Sequence, residues 1–409
     1  MDTLEKKFLN IRADFPRLKA DSSFIYLDSA ATTQKPEIVI DTLCHFYRNQ
    51  YGTVHRAIYG AAQEATRLYD EARASIARFI NAKTSSEIIF TRGTTDSLNI
   101  VADSLAKSVF SPKSKILISE MEHHANIIPW QLAAERTGAS IEVLPVSQEG
   151  AFSLDSLKEA LSQNRFDVVS FTHGSNILGT ITPIKEISAL VHDAGAIFVV
   201  DGAQTAGHMP IDVQELGCDF FCFSSHKMCG PTSVGVLWGK EALLEKLSPT
   251  RGGGDMIDEV TFEKSTWNDL PLKFEPGTPM IAETIGFGAA VEYLRTLGMD
   301  SIHAWEQELF RYFLEKCKSI PELHLVGTYT ERCPLQSFYI KNIHALDLAT
   351  FLDLKGIAVR SGTLCGQPIL KKFGVKELTR ASFAFYNTKE EIEIFCKALK
   401  NVKSFLTMC

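Results

Sequence analysis

The strongest constraint on the fold is an alternation of short apolar runs with amphipathic segments through residues 20–290. Six runs are continuous, apolar and rich in residues that favour strands: 87–90, 115–119, 167–171, 196–200, 219–223 and 234–238. Stretches with the apolar spacing of a helix lie at 37–50, 63–80, 126–137, 154–164 and 183–194. Continuous apolar strands that alternate with amphipathic helices predict an α/β domain, with a mostly parallel sheet covered by helices on both faces.

A different pattern begins after Gly298. The sequence predicts a helix at 301–318, strands near 323–327 and 335–340, a helix at 346–355, a strand around 381–386 and a final helix from Lys389. Helices and strands in this order are typical of a smaller α+β domain. We therefore expect a large α/β domain over 20–290, and a small domain formed by 1–19 together with 291–409.

Composition narrows the class of protein and its partners. The 409 residues are 45% hydrophobic and 22% charged, and the net charge is −7, which is typical of a soluble protein and argues against nucleic acid or an anionic membrane as the main partner. The first residues lack the layout of a signal peptide, and no apolar run approaches the roughly 20 residues of a membrane span. These features predict a cytoplasmic protein.

The nine cysteines are odd in number and scattered along the chain. They form neither a paired disulfide framework nor a CxxC metal pattern, so no metal site is expected. Cys218 and Cys222 are expected to be small core residues. A single cysteine such as Cys365, close to a glycine, is by itself usually inert.

Five of the predicted strands run directly into polar side chains that can do chemistry. The residues that follow them are Thr94 and Thr95; His123; Asn176; Asp201 and Gln204; and Ser224, His226 and Lys227. Each has an ordinary explanation, since the threonine pair can cap a helix, Asp201 can cap a turn and His123 can be a buried structural histidine. Because ligands bind at the carboxyl ends of the strands in open α/β sheets, five such ends together predict one binding site.

Pyridoxal 5′-phosphate requires an amine for its aldehyde, an acid for its pyridine nitrogen and a site for its phosphate. The sequence offers all three in Lys227, Asp201 and the turn Gly93-Thr94-Thr95. The turn offers helix N–H groups and hydroxyls to a single phosphate, but has no Walker sequence for a triphosphate. Asp201 can hold a proton on the pyridine nitrogen, and a desolvated Lys227 can bind the aldehyde carbon. Three further side chains could contact the ring or its phenolic oxygen: His123, Gln204 and Asn176.

Seven motifs, in this order along the chain, resemble one family. They are "RGTTDSLN", "MEHHANIIPW", "THGSNILGT", "VDGAQ", "SSHKMCGP", "FEPGTP" and "RSGTLC". The chain resembles the class V aminotransferase-like enzymes of fold type I, and among them the Suf-type (group II) cysteine desulfurases. The resemblance extends from "YLDSAATTQKP" at 26–36 to "RASFAFYNT" at 380–388. It implies a large domain with a seven-stranded, mostly parallel sheet and a smaller α+β C-terminal domain that carries a nucleophilic cysteine.

The resemblance also implies a role for each matching residue. Lys227 would bind the cofactor covalently, with Thr94, Thr95, Ser224 and His226 around its phosphate, Asp201 at the pyridine nitrogen, Gln204 at the phenolic oxygen and His123 stacked on the ring. Arg380 would clamp the substrate carboxylate with help from Asn176, and Arg360 and His55 would border the pocket. Thr278 would reach the phosphate of a neighbouring subunit, which implies a homodimer.

In such a desulfurase, Cys365 is the nucleophile that takes sulfur from L-cysteine as a persulfide and leaves L-alanine. The implied product of the reaction is sulfur for iron–sulfur cluster assembly, passed to an acceptor protein of the SufE or SufU type. L-Selenocysteine would be a possible second substrate. Group II relatives carry two histidines directly before the cysteine, where this chain has Thr363 and Leu364, and Arg251 stands where some relatives have an acidic residue.

Two other functions stay open at this point. A pyridoxal-phosphate aminotransferase or β-lyase of the same fold would use Lys227 and Asp201 and leave Cys365 without a role. A sulfur-relay scaffold that has lost turnover would keep the fold, but the intact set of Lys227, Asp201, His123, Arg380 and Cys365 argues against it.

Overall fold

The computed structural model describes the backbone of residues 3–406 and the side chains of residues 4–402. Cys409 and the outer ends of the predicted small domain, at residues 1 and 409, lie outside the described residues. Fifteen described strands are β1 Ile25–Tyr26, β2 Ile88–Thr91, β3 Lys115–Ser119, β4 Ser140–Leu144, β5 Val168–Thr172, β6 Ile197–Asp201, β7 Phe220–Ser224, β8 Gly235–Gly239, β9 Ile257–Val260, β10 Ser265–Trp267, β11 Leu323–Val326, β12 Leu335–Ile340, β13 Ile357–Ala358, β14 Arg360–Gly362 and β15 Leu378–Ser382.

Fifteen α-helices accompany these strands in the described part of the chain. They are α1 Thr3–Ile11, α2 Pro16–Ala20, α3 Glu37–His45, α4 Gly60–Phe79, α5 Thr94–Ser108, α6 Ile128–Thr137, α7 Leu154–Gln163, α8 Ile184–Asp193, α9 Val213–Leu216, α10 Glu241–Leu244, α11 Ile281–Leu297, α12 Met299–Cys317, α13 Ala345–Asp353, α14 Gln367–Lys372 and α15 Lys389–Leu406. None of these helices is long and apolar enough to cross a membrane.

The main sheet has seven strands in the order β2-β8-β7-β6-β5-β3-β4. Its strands are parallel except for β8, which runs antiparallel to both neighbours. Every residue of β5, β7 and β8 is buried, as their continuous apolar sequences require when helices cover both faces. The predicted fold type I sheet is thus confirmed, and the carboxyl ends of β2, β3, β5, β6 and β7 meet at one edge.

A second sheet carries the C-terminal part of the chain. It is antiparallel, with the order β11-β12-β15-β14, and the helices α12, α13 and α15 accompany it. The N-terminal segment packs on this part of the chain, since the ring of Phe8 stacks on Trp305 and Phe15 contacts Tyr386. This packing supports the predicted small domain, whose boundaries stay a prediction.

The sequence places the six predicted strands of the main sheet within one residue of their positions. It does not predict the short strands β1, β9 and β10. It misses β4, because this edge strand is half exposed and its apolar signal is weak. It also places the last strand at 381–386, whereas β15 ends at Ser382. The apolar residues 383–386 are buried in the core without pairing in the sheet, and apolarity reports burial and not strand pairing.

Candidate active site

One cavity of about 280 Å³ lies at the carboxyl edge of the main sheet. Twelve of the fourteen predicted site residues line it: Thr94, Thr95, His123, Asn176, Asp201, Gln204, Ser224, His226, Lys227, Arg360, Cys365 and Arg380. The two remaining predicted residues, His55 and Thr278, lie on the surface of this single chain. The predicted contribution of Thr278 to a neighbouring subunit, and that of His55 to the pocket, stay predictions.

The turn between β2 and α5 forms a polar cradle beside Ser224. The Thr94 amide and the Thr94 hydroxyl both lie 2.7 Å from the Ser224 Oγ. Gly93 has a φ of 141°, and a Cβ there would be 3.1 Å from the Ser224 Oγ, so glycine is needed for both conformation and space. The start of α5, with hydroxyls on each side, suits an anion such as a phosphate monoester.

Arg251 lies behind this cradle and not at the cavity. Its guanidinium donates to the Asp96 carboxylate, with Nη1 3.0 Å from Oδ2, in the first turn of α5. The Arg92 amide donates to the same carboxylate at 3.0 Å. These contacts hold the pKa of Asp96 below its usual value despite partial burial. Arg251 therefore has a local structural role in the described chain.

Lys227 ends a short 3₁₀ turn directly after β7. Burial lowers the pKa of its amine to about 8, and the positive charge of Arg380 acts in the same direction, whereas the charge of Asp201 opposes it. A neutral, nucleophilic amine is therefore accessible close to physiological pH. Asp201 is buried at the end of the neighbouring strand β6, where it accepts a hydrogen bond from the Ala203 amide at 2.9 Å.

A clamp from the N-terminal segment holds the turn that carries Lys227. The carbonyl of His226 accepts hydrogen bonds from the Thr33 amide at 2.9 Å, the Thr33 hydroxyl at 3.0 Å and the Lys35 Nζ at 2.9 Å. The Thr33 hydroxyl in turn accepts from the Cys229 amide at 2.8 Å. Sequence reasoning assigned no role to Thr33 or Lys35, although both lie in the "YLDSAATTQKP" motif.

His123 faces the cavity as a neutral imidazole. Its Nδ1 accepts a hydrogen bond from the Ala125 amide at 3.0 Å, so the ring proton lies on Nε2. Burial, followed by the charge of Lys227, lowers the pKa of His123 to about 3. A neutral, planar ring of this kind can stack on an aromatic cofactor without adding charge to the site.

Glu122 is a buried carboxyl group that sequence reasoning missed. It accepts hydrogen bonds from the Asn126 side chain at 2.7 Å, from the Thr172 amide at 3.0 Å and from the Ser119 hydroxyl. Burial raises the pKa of Glu122 to about 8, and the charge of Asp201 contributes in the same direction. This network ties the segment that carries His123 to the ends of β3 and β5.

Arg380 and Arg360 form the other wall of the cavity. They lie directly opposite each other on the antiparallel strands β15 and β14. Like charges in this register are unfavourable unless an anion lies between them. Arg380 is buried and donates to the Asn176 carbonyl at 2.8 Å, while its Nε has no hydrogen-bond partner among the described residues. The pair is thus suited to bind a carboxylate.

Asp28 is a second site residue that the sequence did not reveal. Its Oδ1 lies 3.3 Å from the Arg380 Nη2, and burial keeps its pKa above the usual value even though the charge of Arg380 lowers it. The carboxylate therefore orients one edge of the guanidinium. A substrate carboxylate would bind to the part of the guanidinium that faces the cavity.

Two predicted residues make contacts that their sequence roles did not foresee. The amide of Asn176 donates to the Leu364 carbonyl at 2.6 Å, and the amide of Gln204 donates to the Ala30 carbonyl at 2.9 Å. Both still line the cavity. Their predicted contacts with the cofactor or the substrate stay predictions.

A model of the class V aminotransferase family matches residues 25–395. The chain belongs to this family. It is 47% identical over 398 residues to a probable cysteine desulfurase of Halalkalibacterium halodurans, with 97% of this chain and 98% of the relative covered. It is 44% identical to a cysteine desulfurase of Salmonella agona, with the same coverage of both chains.

Two solved structures of cysteine desulfurases show the same fold. The cysteine desulfurase CsdA of Escherichia coli is 37% identical with a TM-score of 0.91, and the match covers 97% of this chain and 98% of that chain. The cysteine desulfurase of Thermococcus onnurineus NA1 is 34% identical with a TM-score of 0.92, at the same coverage. The predictions of the family, the fold and a pyridoxal-phosphate-dependent desulfurase are confirmed at this level, whereas the Suf-type subgroup stays a prediction.

The residues of the cavity fit pyridoxal phosphate, the cofactor of the family. Lys227 supplies a buried amine of lowered pKa, and the cradle at Gly93 supplies donors for one phosphate. Burial raises the pKa of Asp201, which suits a carboxyl group that shares a proton with the pyridine nitrogen. His123 supplies an uncharged ring beside these groups.

Proposed function

We propose that this chain is a cysteine desulfurase that converts L-cysteine to L-alanine and holds the sulfur as a persulfide on Cys365. The observation that carries the proposal is the position of Cys365, which lines the same cavity as Lys227, Asp201 and Arg380. An aminotransferase or β-lyase would need the amine, the carboxylate and the arginine, but no thiol. The cysteine therefore favours sulfur transfer over the alternative functions.

Four groups of this chain would hold the cofactor. Lys227 would bind it covalently, Asp201 would bind its pyridine nitrogen, His123 would stack on its ring, and the turn at Gly93 with Ser224 and His226 would bind its phosphate. When bound, the cofactor supplies an electron sink that stabilises negative charge at the substrate Cα. The cavity that would hold it is lined by residues from the carboxyl edge of the main sheet and by Arg360 and Arg380.

The substrate carboxylate would bind between Arg360 and Arg380, with Asp28 fixing the orientation of the Arg380 guanidinium. Lys227 lines the same cavity as this arginine pair, so a substrate held there would lie next to its amine. A lysine with a pKa of about 8 can accept the Cα proton in its neutral form and return a proton later. The neutral His123 holds a proton on Nε2 and can act as a donor in the same cavity.

Sulfur transfer would take place at the Cys365 Sγ. The thiolate attacks the substrate sulfur, the new S–S bond forms, and the Cβ–S bond of the substrate breaks. The electron pair of the broken bond stays on the carbon fragment, which is protonated and leaves as alanine. The sum is cysteine plus the Cys365 thiol giving alanine plus the Cys365 persulfide, without an external oxidant.

The finer predictions form part of the same proposal. An acceptor protein of the SufE or SufU type would take the sulfur for iron–sulfur cluster assembly, and L-selenocysteine would be accepted as a second substrate. Two copies of the chain would form a cytoplasmic homodimer in which Thr278 reaches the neighbouring phosphate site. Thr278 is exposed on the surface of the single chain, which supports this arrangement, because a residue that contacts another subunit's site must be accessible.

The test is the substitution Cys365→Ser, with Cys44→Ser as a matched control. These are the two half-buried free cysteines of the described chain, and Cys44 lies on α3, away from the cavity. We expect Cys365→Ser to abolish sulfide release from cysteine in the presence of a thiol reductant while the visible absorbance of the cofactor persists. Cys44→Ser should keep both. Sulfide release at the wild-type rate by Cys365→Ser would overturn the proposal in favour of a β-lyase.

A further inference from the structure

Cys365 lies in a turn whose sequence is unsuited to its conformation. Leu364 and Cys365 have φ values of 52° and 57°, and the Gly366 amide donates to the Thr363 carbonyl at 3.1 Å. Two positive φ angles inside one such hydrogen bond are the pattern of a type I′ turn, which normally requires Gly, Asn or Asp at both central positions. Leucine and cysteine each pay a conformational cost there.

The strain is specific to this place in the chain. Nine described residues other than glycine have a positive φ, and only Leu364 and Cys365 are consecutive. Leu364 is also the only aliphatic residue among the nine. Strained backbone of this kind persists only when the surrounding structure holds it, and it concentrates at functional sites.

Four contacts hold the turn and the residues that follow it. The side chain of Leu364 is 5% exposed and belongs to an apolar cluster formed with Met121, Val146, Ile177, Leu178, Val326, Ile369, Leu370 and Leu378. The Leu364 carbonyl accepts from the Asn176 side chain at 2.6 Å. The Cys365 carbonyl accepts from the His124 amide at 3.0 Å, and the His124 Nε2 accepts from the Gln367 amide at 3.3 Å.

We propose that Leu364 is a positioning residue that anchors this turn and thereby keeps the Cys365 thiol inside the active-site cavity. Its side chain lies in the apolar cluster, and the turn places both Leu364 and Cys365 in the wall of the cavity. Because the two residues are adjacent and both carbonyls are held, fixing Leu364 fixes the direction in which the thiol points. The catalytic consequence rests on the proposed function, since that function gives Cys365 its role.

The choice of residue argues for anchoring and against simple turn formation. A glycine or asparagine at 364 would adopt the positive φ at lower cost, but would bury little or no apolar surface. The chain instead has a residue that fits the apolar cluster well and the turn poorly. Asn176 and His124 supply the polar part of the anchor. This role accounts for the hydrogen bond from the Asn176 side-chain amide to the Leu364 carbonyl.

The test compares four variants of the cofactor-loaded enzyme without substrate: Leu364→Ala, Leu364→Asn, Leu364→Met and Val326→Ala. Hydrogen–deuterium exchange is followed by mass spectrometry in peptides that contain the Gly366 and Gln367 amides. We expect exchange to become at least tenfold faster in Leu364→Ala and Leu364→Asn, which remove the anchor. Leu364→Met keeps an apolar anchor, and Val326→Ala weakens the same cluster at a residue of β11 outside the turn, so both should stay within about threefold of the wild type.

A second measurement links the turn to catalysis. In a single turnover at a saturating concentration of cysteine, with saturation read from the cofactor absorbance, Leu364→Ala should form the Cys365 persulfide at least tenfold more slowly. The inference would be overturned if exchange in Leu364→Ala equalled that of the wild type, or if exchange in Leu364→Asn were slower than in the wild type. It would also be overturned if Val326→Ala accelerated exchange as much as Leu364→Ala, or if Leu364→Ala formed the persulfide at the wild-type rate. A wild-type enzyme that forms no persulfide would refute the proposed function, and the exchange comparison would still decide the anchor.

Discussion

The buried amine of Lys227 gives the sharpest prediction about the electrostatics of the site. Burial lowers the pKa of Lys227 from 10.5 to about 8 in the chain without cofactor. At pH 8 about half of the amines are then neutral, compared with roughly 0.3% for an unperturbed lysine, which is about 150-fold more of the form that captures the cofactor aldehyde. The rate of cofactor capture by the apoenzyme should therefore rise with pH and level off above about pH 8.

The same shift makes a prediction for stability with a definite sign. The unfolded chain keeps the proton on this lysine up to pH 10.5, whereas the folded chain releases it near pH 8, so folding is favoured as the pH rises between these values. A shift of this size corresponds to about 3 kcal/mol. Below about pH 8 the full cost of burying the ammonium is present.

The assay compares the apoenzyme with Lys227→Met, which cannot titrate at this position. Urea denaturation at a series of pH values gives the free energy of unfolding of both proteins, and the difference cancels all other titrating groups. Between pH 8 and 10.5, the free energy of unfolding of the wild type should rise by about 3 kcal/mol relative to that of Lys227→Met. The lowered pKa of Lys227 would be refuted if the free energies of unfolding of the two proteins changed in parallel with pH and the rate of cofactor capture still rose steeply above pH 10.

Three further predictions concern other charges of the site and its supports. Because the pKa of His123 is lowered to about 3, the ring should show no titration between about pH 5 and 9 in NMR spectra of labelled histidine, assigned with His123→Gln. An inflection near pH 6.5 would contradict this expectation. The buried pair Arg73–Glu275, with two contacts of 2.7 and 2.8 Å, holds the segment that leads to Thr278. Glu275→Gln should lower the free energy of unfolding in urea by about 3–5 kcal/mol, and a loss below about 1 kcal/mol would count against it. Arg380→Lys should reduce kcat/KM for cysteine about 100-fold, mainly through KM and with the cofactor absorbance kept, and an unchanged KM would remove Arg380 from the substrate site.

The sequence was sufficient to locate the strand ends, because buried parallel strands are continuous apolar runs and a polar residue stands out where each run stops. Asp201, Ser224 and Lys227 were found in this way, and the structure brings them into one cavity. Cys365 needed the resemblance, since a lone cysteine carries no signal in its own sequence. The weakly apolar edge strand β4 left too little pattern to detect.

The residues that sequence reasoning missed act through contacts between distant parts of the chain. Asp28 meets Arg380 across 352 positions, and the opposition of Arg360 and Arg380 depends on the register of two strands. The turn at Leu364 could not be predicted, because its residues are not turn formers and the contacts that hold it come from the segments around Asn176 and His124. Local sequence cannot report such pairings.

The most direct test of the proposed reaction is intact and peptide mass spectrometry of the purified enzyme after one incubation with an equimolar amount of L-cysteine. We expect one added sulfur atom per chain, located on Cys365 and removed by a thiol reductant, with one alanine formed for each sulfur. Alanine formation without sulfur on Cys365, or pyruvate and ammonia in place of alanine, would contradict the proposed reaction.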